Sequence, residues 1–284
     1  MAPEISAGPL RAELDRDELR IGWGEPDWLG PGRLVVPDVA AGAIAPQVRA
    51  RDGEPVVVVR LEASRDLTGL ASGEFARPAV MWHFDPAHRA GGGAPDGMRG
   101  FGFQYTEFAL PVFSDAELSR WRLLPIRPAV VLPFGMVAPD GRTILLAPLT
   151  AFHEQVLVVP SGKDDADSGL RVGWHGDIDA VEDGFATELA VIAGHGVREC
   201  FAIWARLLRE ESGVDAPARD RDVLGTRVSY WTDNGSSYWY RTEGDLDAAS
   251  TVVAAVDDLE ARGIPVGAVQ LDSWWYPHEV LRPH

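Results

Sequence analysis

Gly263-Ile264-Pro265-Val266-Gly267-Ala268-Val269-Gln270-Leu271-Asp272-Ser273-Trp274-Trp275 is the stretch on which the reading of this chain turns. Val266–Leu271 is nearly continuous in apolar character, as in a strand buried on both faces of a parallel sheet, where one-sided antiparallel strands alternate. Before it, Gly263 takes the left-handed position that ends a helix, and Pro265 prevents the helix from continuing. That helix is predicted over Asp245–Arg262, where Leu246, Val252, Val253, Val256 and Leu259 form an apolar stripe. Thr226–Trp231 upstream reads as a second strand. The three segments predict one strand–helix–strand crossover with parallel strands, right-handed as such connections are.

The texture upstream is different. From Arg33 to about Gly194, short apolar or alternating runs are separated by clusters of Gly, Pro and Asp. Nine candidate strands are Arg33–Pro37, Pro55–Glu62, Ala79–Phe84, Phe103–Phe113, Trp121–Phe134, Thr143–Pro148, Gln155–Pro160, Gly169–Trp174 and Phe185–Ala193. With no helix among them, they predict an all-β sandwich. Loops are expected at 90–98 and 163–168. Then Val197, Cys200, Phe201, Trp204, Leu207 and Leu208 recur at three- and four-residue spacing, which predicts one amphipathic helix ended by Gly213. Val214–Arg221 has the composition of a linker. The expected organisation is a sandwich over 1–195, a linking helix and linker over 196–225, and the strand–helix–strand segment over 226–284.

Composition excludes several classes of function. A net charge of −17 opposes binding to nucleic-acid phosphates and anionic membranes. The N-terminus lacks a secretory signal, and no stretch approaches the roughly 20 apolar residues of a membrane span, so the expected location is the cytoplasm. Cys200 is the only cysteine, which excludes an intramolecular disulfide and any multi-cysteine metal site. His153-Glu154 lacks the second histidine of a zinc-protease helix, and Asp177, Asp179, Asp183 and Glu188 have Glu182 where a calcium loop requires Gly. No cofactor and no metal are expected.

Chemistry concentrates where the two C-terminal strands end. The first is followed by Thr232-Asp233-Asn234-Gly235-Ser236-Ser237-Tyr238, and the second by Asp272-Ser273-Trp274-Trp275. In parallel α/β folds, ligands bind at that edge. Trp231, Trp239, Trp274 and Trp275 are four of the ten tryptophans in about a sixth of the chain, an enrichment that favours a site. Carbohydrate suits the mixture, because a pyranose packs its apolar face on an aromatic ring and offers hydroxyls to carboxylates and amides. Asp233, Asn234 and Asp272 supply the polar half, and Trp231, Trp274, Trp275 and Tyr238 the apolar half. Two structural alternatives stay open: the aromatics fill a core, and Asp233-Asn234-Gly235 is only a tight turn.

These residues resemble the glycoside hydrolases built as a β-sandwich followed by a (β/α)8 barrel. The most similar are the families containing α-galactosidases (family 36), raffinose-synthase-like proteins and α-glucosidases (family 31). Their first barrel strand ends in an aromatic with a polar residue, and the second in Asp followed closely by Trp. Tyr230-Trp231-Thr232-Asp233 and Leu271-Asp272-Ser273-Trp274-Trp275 stand at those places. The resemblance implies a multi-domain fold: a galactose-mutarotase-like supersandwich, a linking helix, then the start of a TIM barrel. It also implies that Asp272 holds sugar hydroxyls.

Two departures matter. The second motif is Asp-Ser-Trp-Trp where family 36 has Asp-Asp-Gly-Trp, and the family's nucleophile and general acid/base lie on later strands, around the fourth and sixth. Only 58 residues follow Thr226, against roughly 250 for a barrel. Asp233 and Asp272 are the one pair here that could flank a glycosidic bond at about 5–9.5 Å, but the resemblance assigns Asp272 to binding, so no catalytic residue is expected in this chain. The expectation is the N-terminal part of a glycoside-hydrolase-like protein, acting on O-glycosidic bonds only when later barrel strands complete it. A second chain completing the barrel is a further candidate partner. The alternative is a non-catalytic carbohydrate-binding or structural sandwich protein with a barrel remnant.

Overall fold

The computed structural model describes residues 4–24, 27–74, 77–84, 97–104, 110–117, 129–130, 133–159, 169–213, 222–232, 237–238 and 241–271. The chain opens with β1 (Glu4–Ala7), β2 (Leu10–Asp15), β3 (Glu18–Trp23), β4 (Asp27–Val35), β5 (Ile44–Ala50) and β6 (Val56–Ala63). There follow β7 (Leu67–Thr68), β8 (Val80–Phe84), β9 (Arg99–Gln104), β10 (Leu110–Glu117), β11 (Ala129–Val130) and β12 (Phe134–Val137). Next come β13 (Arg142–Pro148), β14 (Gln155–Val159), β15 (Leu170–Trp174), β16 (Ala180–Val181) and β17 (Ala186–His195). The last elements are α1 (Val197–Ser212), the single turn α2 (Val223–Thr226), β18 (Val228–Trp231), α3 (Ala248–Ala261) and β19 (Val266–Gln270).

The chain divides into two compact units, Met1–Gly213 and Val214–His284. The first is a β-sandwich. One sheet has the order β1-β2-β3-β4-β8-β15-β14-β11 and the other β10-β9-β12-β13-β17-β6-β5. Strand pairing in both is antiparallel.

The period of two along each strand explains the layering. In β6, Val57, Val59 and Leu61 enter the core between the sheets while Val56 and Val58 point the other way. β17 does the same with Leu189 and Val191 against Ala190 and Ile192, and β13 with Ile144 and Leu146 against Leu145 and Ala147. Cross-strand pairs Leu146↔Val191 and Val191↔Val57 keep the inward faces in register. Trp174 of β15 ties the two sheets together, its indole N–H donating to Thr187 Oγ1 of β17 at 2.9 Å. Both groups are buried, so this bond satisfies polar atoms that would otherwise be left without water.

The outward faces of β6, β13 and β17 are covered by α1. Cys200 and Leu207 are fully buried there, with Phe201, Ile203, Trp204 and Leu208 packed beside them. The Trp204 indole donates to the Pro148 carbonyl at 2.8 Å. Arg51 pairs with Glu210 at 2.6 Å and Glu211 at 3.0 Å, and Arg206 with Glu54, so opposite charges join the β5–β6 turn to the C-terminal half of α1. A Cβ at Gly194 would stand 2.9 Å from Cys200 Sγ, so the close approach of β17 and α1 requires glycine. Gly213 closes the helix at φ 63, the left-handed position that favours glycine. The expected linking helix, up to Gly213, lies in the same compact unit as the sandwich.

Two other differences have local causes. The run Phe103–Phe113, expected as one strand, spans the antiparallel pair β9 and β10, with Leu110 opposite Gln104. β1, β2, β3 and β5 were not expected, and β4 meets the expected run Arg33–Pro37 only over its last three residues. β1, β2 and β3 are short and interleave charged residues such as Arg11, Glu13 and Arg20, so each carries few apolar positions. Of the expected run Trp121–Phe134, residues 121–128 and 131–132 lie outside the described residues, as do the 90–96 and 163–168 parts of the expected loops.

In the second unit, β18 and β19 pair in parallel, with Trp231 opposite Gln270 and α3 in the connection. Gly267 sits at a register shift, and a Cβ there would meet Val223 at 2.5 Å, so α2 lies close over β19. Val269 and Leu271, in the run expected to be buried on both faces, are 40% and 39% exposed. Of the twelve large apolar side chains exposed among the described residues, nine lie in 223–271, so this unit leaves open the apolar surface that the sandwich buries. Among the described residues, no helix is long and apolar enough to cross a membrane.

Two outcomes test this layering. Leu207→Ala should cost about 2–5 kcal/mol in denaturant unfolding, as buried leucines do, whereas Leu224→Ala, at a side chain 60% exposed, should change stability by no more than about 0.5 kcal/mol. Burial also pushes the Cys200 thiol up to about 12 from 9.0. Below pH 9.0 the thiol is neutral in both states, and as pH rises from there towards about 12 it ionises in the unfolded chain first, so stability falls across that window. At pH 8 an aromatic disulfide reagent should modify Cys200 only after denaturant is added.

Candidate functional site

The parallel register brings the ends of β18 and β19 level. Trp231 lies opposite Gln270, and the Thr232 N–H donates to the Gln270 carbonyl at 3.2 Å. The loops that begin at 232 and 271 therefore leave adjacent strands at the same edge. Trp231 is 43% exposed, and Thr232 is fully buried. Of the residues expected to form the site, Trp231 and Tyr238 are described. Asp233, Asn234, Asp272, Trp274 and Trp275 lie outside the described residues.

Tyr238 and the start of α3 form a bonded set. The Tyr238 phenol donates to Glu243 Oε2 at 2.7 Å. The Glu243 N–H donates to Thr251 Oγ1 at 3.0 Å, and Thr251 is fully buried in the first turn of α3. The hydrogen bond to Glu243 raises the Tyr238 pKa above that of an ordinary phenol, with desolvation and the Glu243, Tyr230 and Asp258 charges adding to it. Asp247 caps α3, its carboxylate accepting from the Ser250 N–H at 2.7 Å, and this lowers its pKa. Glu243 was missed in the sequence, because no motif marks it and its place is set by a hydrogen bond closed across the loop.

The sandwich carries a separate cleft of about 760 Å³ lined by Asp66, Thr68, Glu154, Glu182, Asp183 and Phe185, among others. Its carboxylates serve the backbone in part, since Asp66 Oδ1 accepts from the Asp183 N–H at 2.8 Å. Glu188, considered for a calcium loop, is held by Arg49 at 3.0 Å and Arg60 at 3.3 Å on the edge of the core. His175 Nδ1 accepts from the Asp177 N–H at 3.1 Å, a local turn contact. Among the described residues, no group of three or more His, Cys, Asp or Glu could hold a metal ion.

No protein-family model matches the chain, and no curated protein matches it. Solved structures do resemble it. An α-galactosidase from Thermus thermophilus in complex with stachyose has 16% identity and a TM-score of 0.39, over 82% of this chain and 44% of that one. An α-N-acetylgalactosaminidase from Bifidobacterium bifidum has 12% identity and a TM-score of 0.42, over 96% and 52%. A glycoside hydrolase family 97 enzyme from Pseudoalteromonas sp. strain K8 has 9% identity and a TM-score of 0.48, over 96% and 48%. The chain spans about half the length of these structures. Identities and TM-scores this low assign neither a family nor an activity.

The cap on α3 has a testable consequence. A carboxylate with a lowered folded pKa contributes stability above its unfolded value of 3.8, and that contribution is lost as pH falls through the folded value. Asp247→Ala should therefore reduce the helical Cα chemical shifts of 248–252 at pH 7 and abolish their change on acidification.

Proposed function

We propose that the chain is the N-terminal part of a glycoside-hydrolase-like protein, and that the edge where β18 and β19 end forms part of its sugar site. In this reading, β18–α3–β19 is the first repeat of a larger parallel β/α barrel. Asp272, Asp233 and Asn234 bind hydroxyls there, and Trp231, Trp274, Trp275 and Tyr238 offer aromatic faces. The observation that carries the reading is the parallel register, which levels two strand ends that both lead into sequences rich in aromatic and acidic residues. The exposed apolar surface of this unit supports the same view, since a barrel repeat buries its helix and strand faces only against its neighbours. The catalytic carboxylate pair is assigned to barrel strands other than these two, so the share of β18 and β19 in the site is sugar binding.

A second reading, a non-catalytic carbohydrate-binding or structural sandwich protein, is favoured by one observation: the sandwich closes its own core and covers its second sheet with its own helix. The two readings separate in one titration. With the ¹⁵N-labelled chain and D-galactose or D-glucose, the first expects shift changes confined to 228–284 and about 2- to 10-fold weaker binding in Trp231→Ala, the range for one aromatic contact. Changes confined to the sandwich would favour the second reading, and no change with either sugar would contradict both binding assignments.

A further inference from the structure

We propose that the cleft of the sandwich docks an arginine- or lysine-bearing segment of a basic partner protein, with the stem of that side chain on the cleft floor and its charge among four carboxylates. The inference is independent of the carbohydrate reading and uses residues of the first unit alone.

The cleft, of about 760 Å³, has two kinds of lining. Leu67, Val181 and Phe185 are its apolar part, and Asp66, Glu154, Glu182 and Asp183 its charged part. Leu67 and Val181 are buried and Phe185 half-buried, while Asp66, Glu182 and Asp183 are exposed, so the apolar side chains lie deep and the carboxylates stand at the mouth. No Arg or His lines the cleft, and none of the four carboxylates joins an ion pair among the described residues. Elsewhere in this unit acidic groups are paired, Glu188 with Arg49 and Arg60, and Asp27 with Arg11 and Arg20. A cleft lined by one sign of charge focuses the field and draws in the opposite sign.

The walls are already formed. Leu67 and Val181 pair across β7 and β16, Asp66 Oδ1 takes the Asp183 N–H at 2.8 Å, and the Gly184 N–H donates to the Ala63 carbonyl at 2.8 Å. Phe185 packs edge-on against Trp174, ring centroids 5.0 Å apart. A partner therefore meets a surface that needs little ordering. Charge complementarity selects the occupant. Arg and Lys side chains lay a methylene stem on apolar surface while the charged head stays among polar groups. A bare metal ion leaves the floor unused, and a neutral apolar side chain covers carboxylates without pairing them. A net charge of −17 opposes docking of a second copy, so the segment belongs to a different and basic protein.

The test titrates the ¹⁵N-labelled full chain with the peptide acetyl-Leu-Arg-Leu-Arg-Leu-amide, and with the same peptide carrying citrulline, an uncharged isostere, in place of arginine. Amide shifts should change at 66–68, 154 and 178–185, and the citrulline peptide should bind about 10-fold more weakly, the usual loss for hydrogen bonds assisted by charge. Glu154→Gln and Glu182→Gln keep the side-chain size and remove the charge, and each should weaken binding of the arginine peptide about 2- to 5-fold. Glu260→Gln, on α3, should leave it unchanged. Equal weakening by all three variants, shifts scattered over the chain, or equal affinity for the citrulline peptide overturns the inference in favour of unspecific attraction to a negative protein. Unchanged binding in both Glu154→Gln and Glu182→Gln overturns it as well. Hexylammonium binding the cleft as tightly as the peptide overturns it in favour of a small amine, and concentration-dependent shifts at the cleft without peptide overturn it in favour of a second copy. No shift at the cleft with the arginine peptide overturns it outright.

Discussion

The first unit depends on burying β6, β13 and β17 on both faces. These strands are adjacent in the second sheet, and every residue of Val56–Val59, Ile144–Ala147 and Leu189–Ile192 lies in a buried cluster. One face packs against the other sheet and the other against α1. Removing α1 would uncover seven buried apolar residues of the sandwich at once, at roughly 25 cal/mol for each Å² exposed. The helix is therefore a third layer of the sandwich. The Arg51 and Arg206 ion pairs with Glu210, Glu211 and Glu54 are partly exposed and orient it more than they stabilise it.

The second unit shows the same kind of sequence without the same burial. Val266-Gly-Ala-Val-Gln has the apolar character of a covered parallel strand, and its pairing with β18 is parallel, yet its residues are only half-buried or exposed. Thr251 and Thr232 are its fully buried residues among those described, and both are polar. Thr251 holds the Glu243 N–H and Thr232 bonds to Gln270, while the apolar surface stays open. The order in this unit is local, built from caps, one parallel pair and the bonded set around Glu243.

Much of this was legible in the sequence, for physical reasons that differ by element. The valines of β6 and the runs that became β13 and β17 are dense enough in apolar residues to announce strands covered on both sides. The stripe Cys200-Trp204-Leu207 announced a helix, but nothing in its spacing says which surface it covers, because Val56, Leu145 and Ile192 come from distant parts of the chain. Strands β1–β3 were hidden by charged residues between their apolar positions, and the pairing of β9 with β10 by the lack of any Gly, Pro, Asn or Asp between Gln104 and Leu110 to mark a break. For the candidate site, Trp231 and Tyr238 stood out as aromatics at a strand end. Glu243 did not, since its role comes from one hydrogen bond to Tyr238 and another to Thr251, and spacing encodes neither.

The central claim is that a closed three-layer sandwich is followed by a strand–helix–strand unit that does not close a core of its own. Amide hydrogen exchange read segment by segment addresses it most directly. The account expects amides of β6, β13 and β17 to exchange only through global unfolding, with β18 and β19 exchanging about 10³-fold faster or more, as locally opening segments do. Protection of β18 and β19 equal to that of β17 would contradict it.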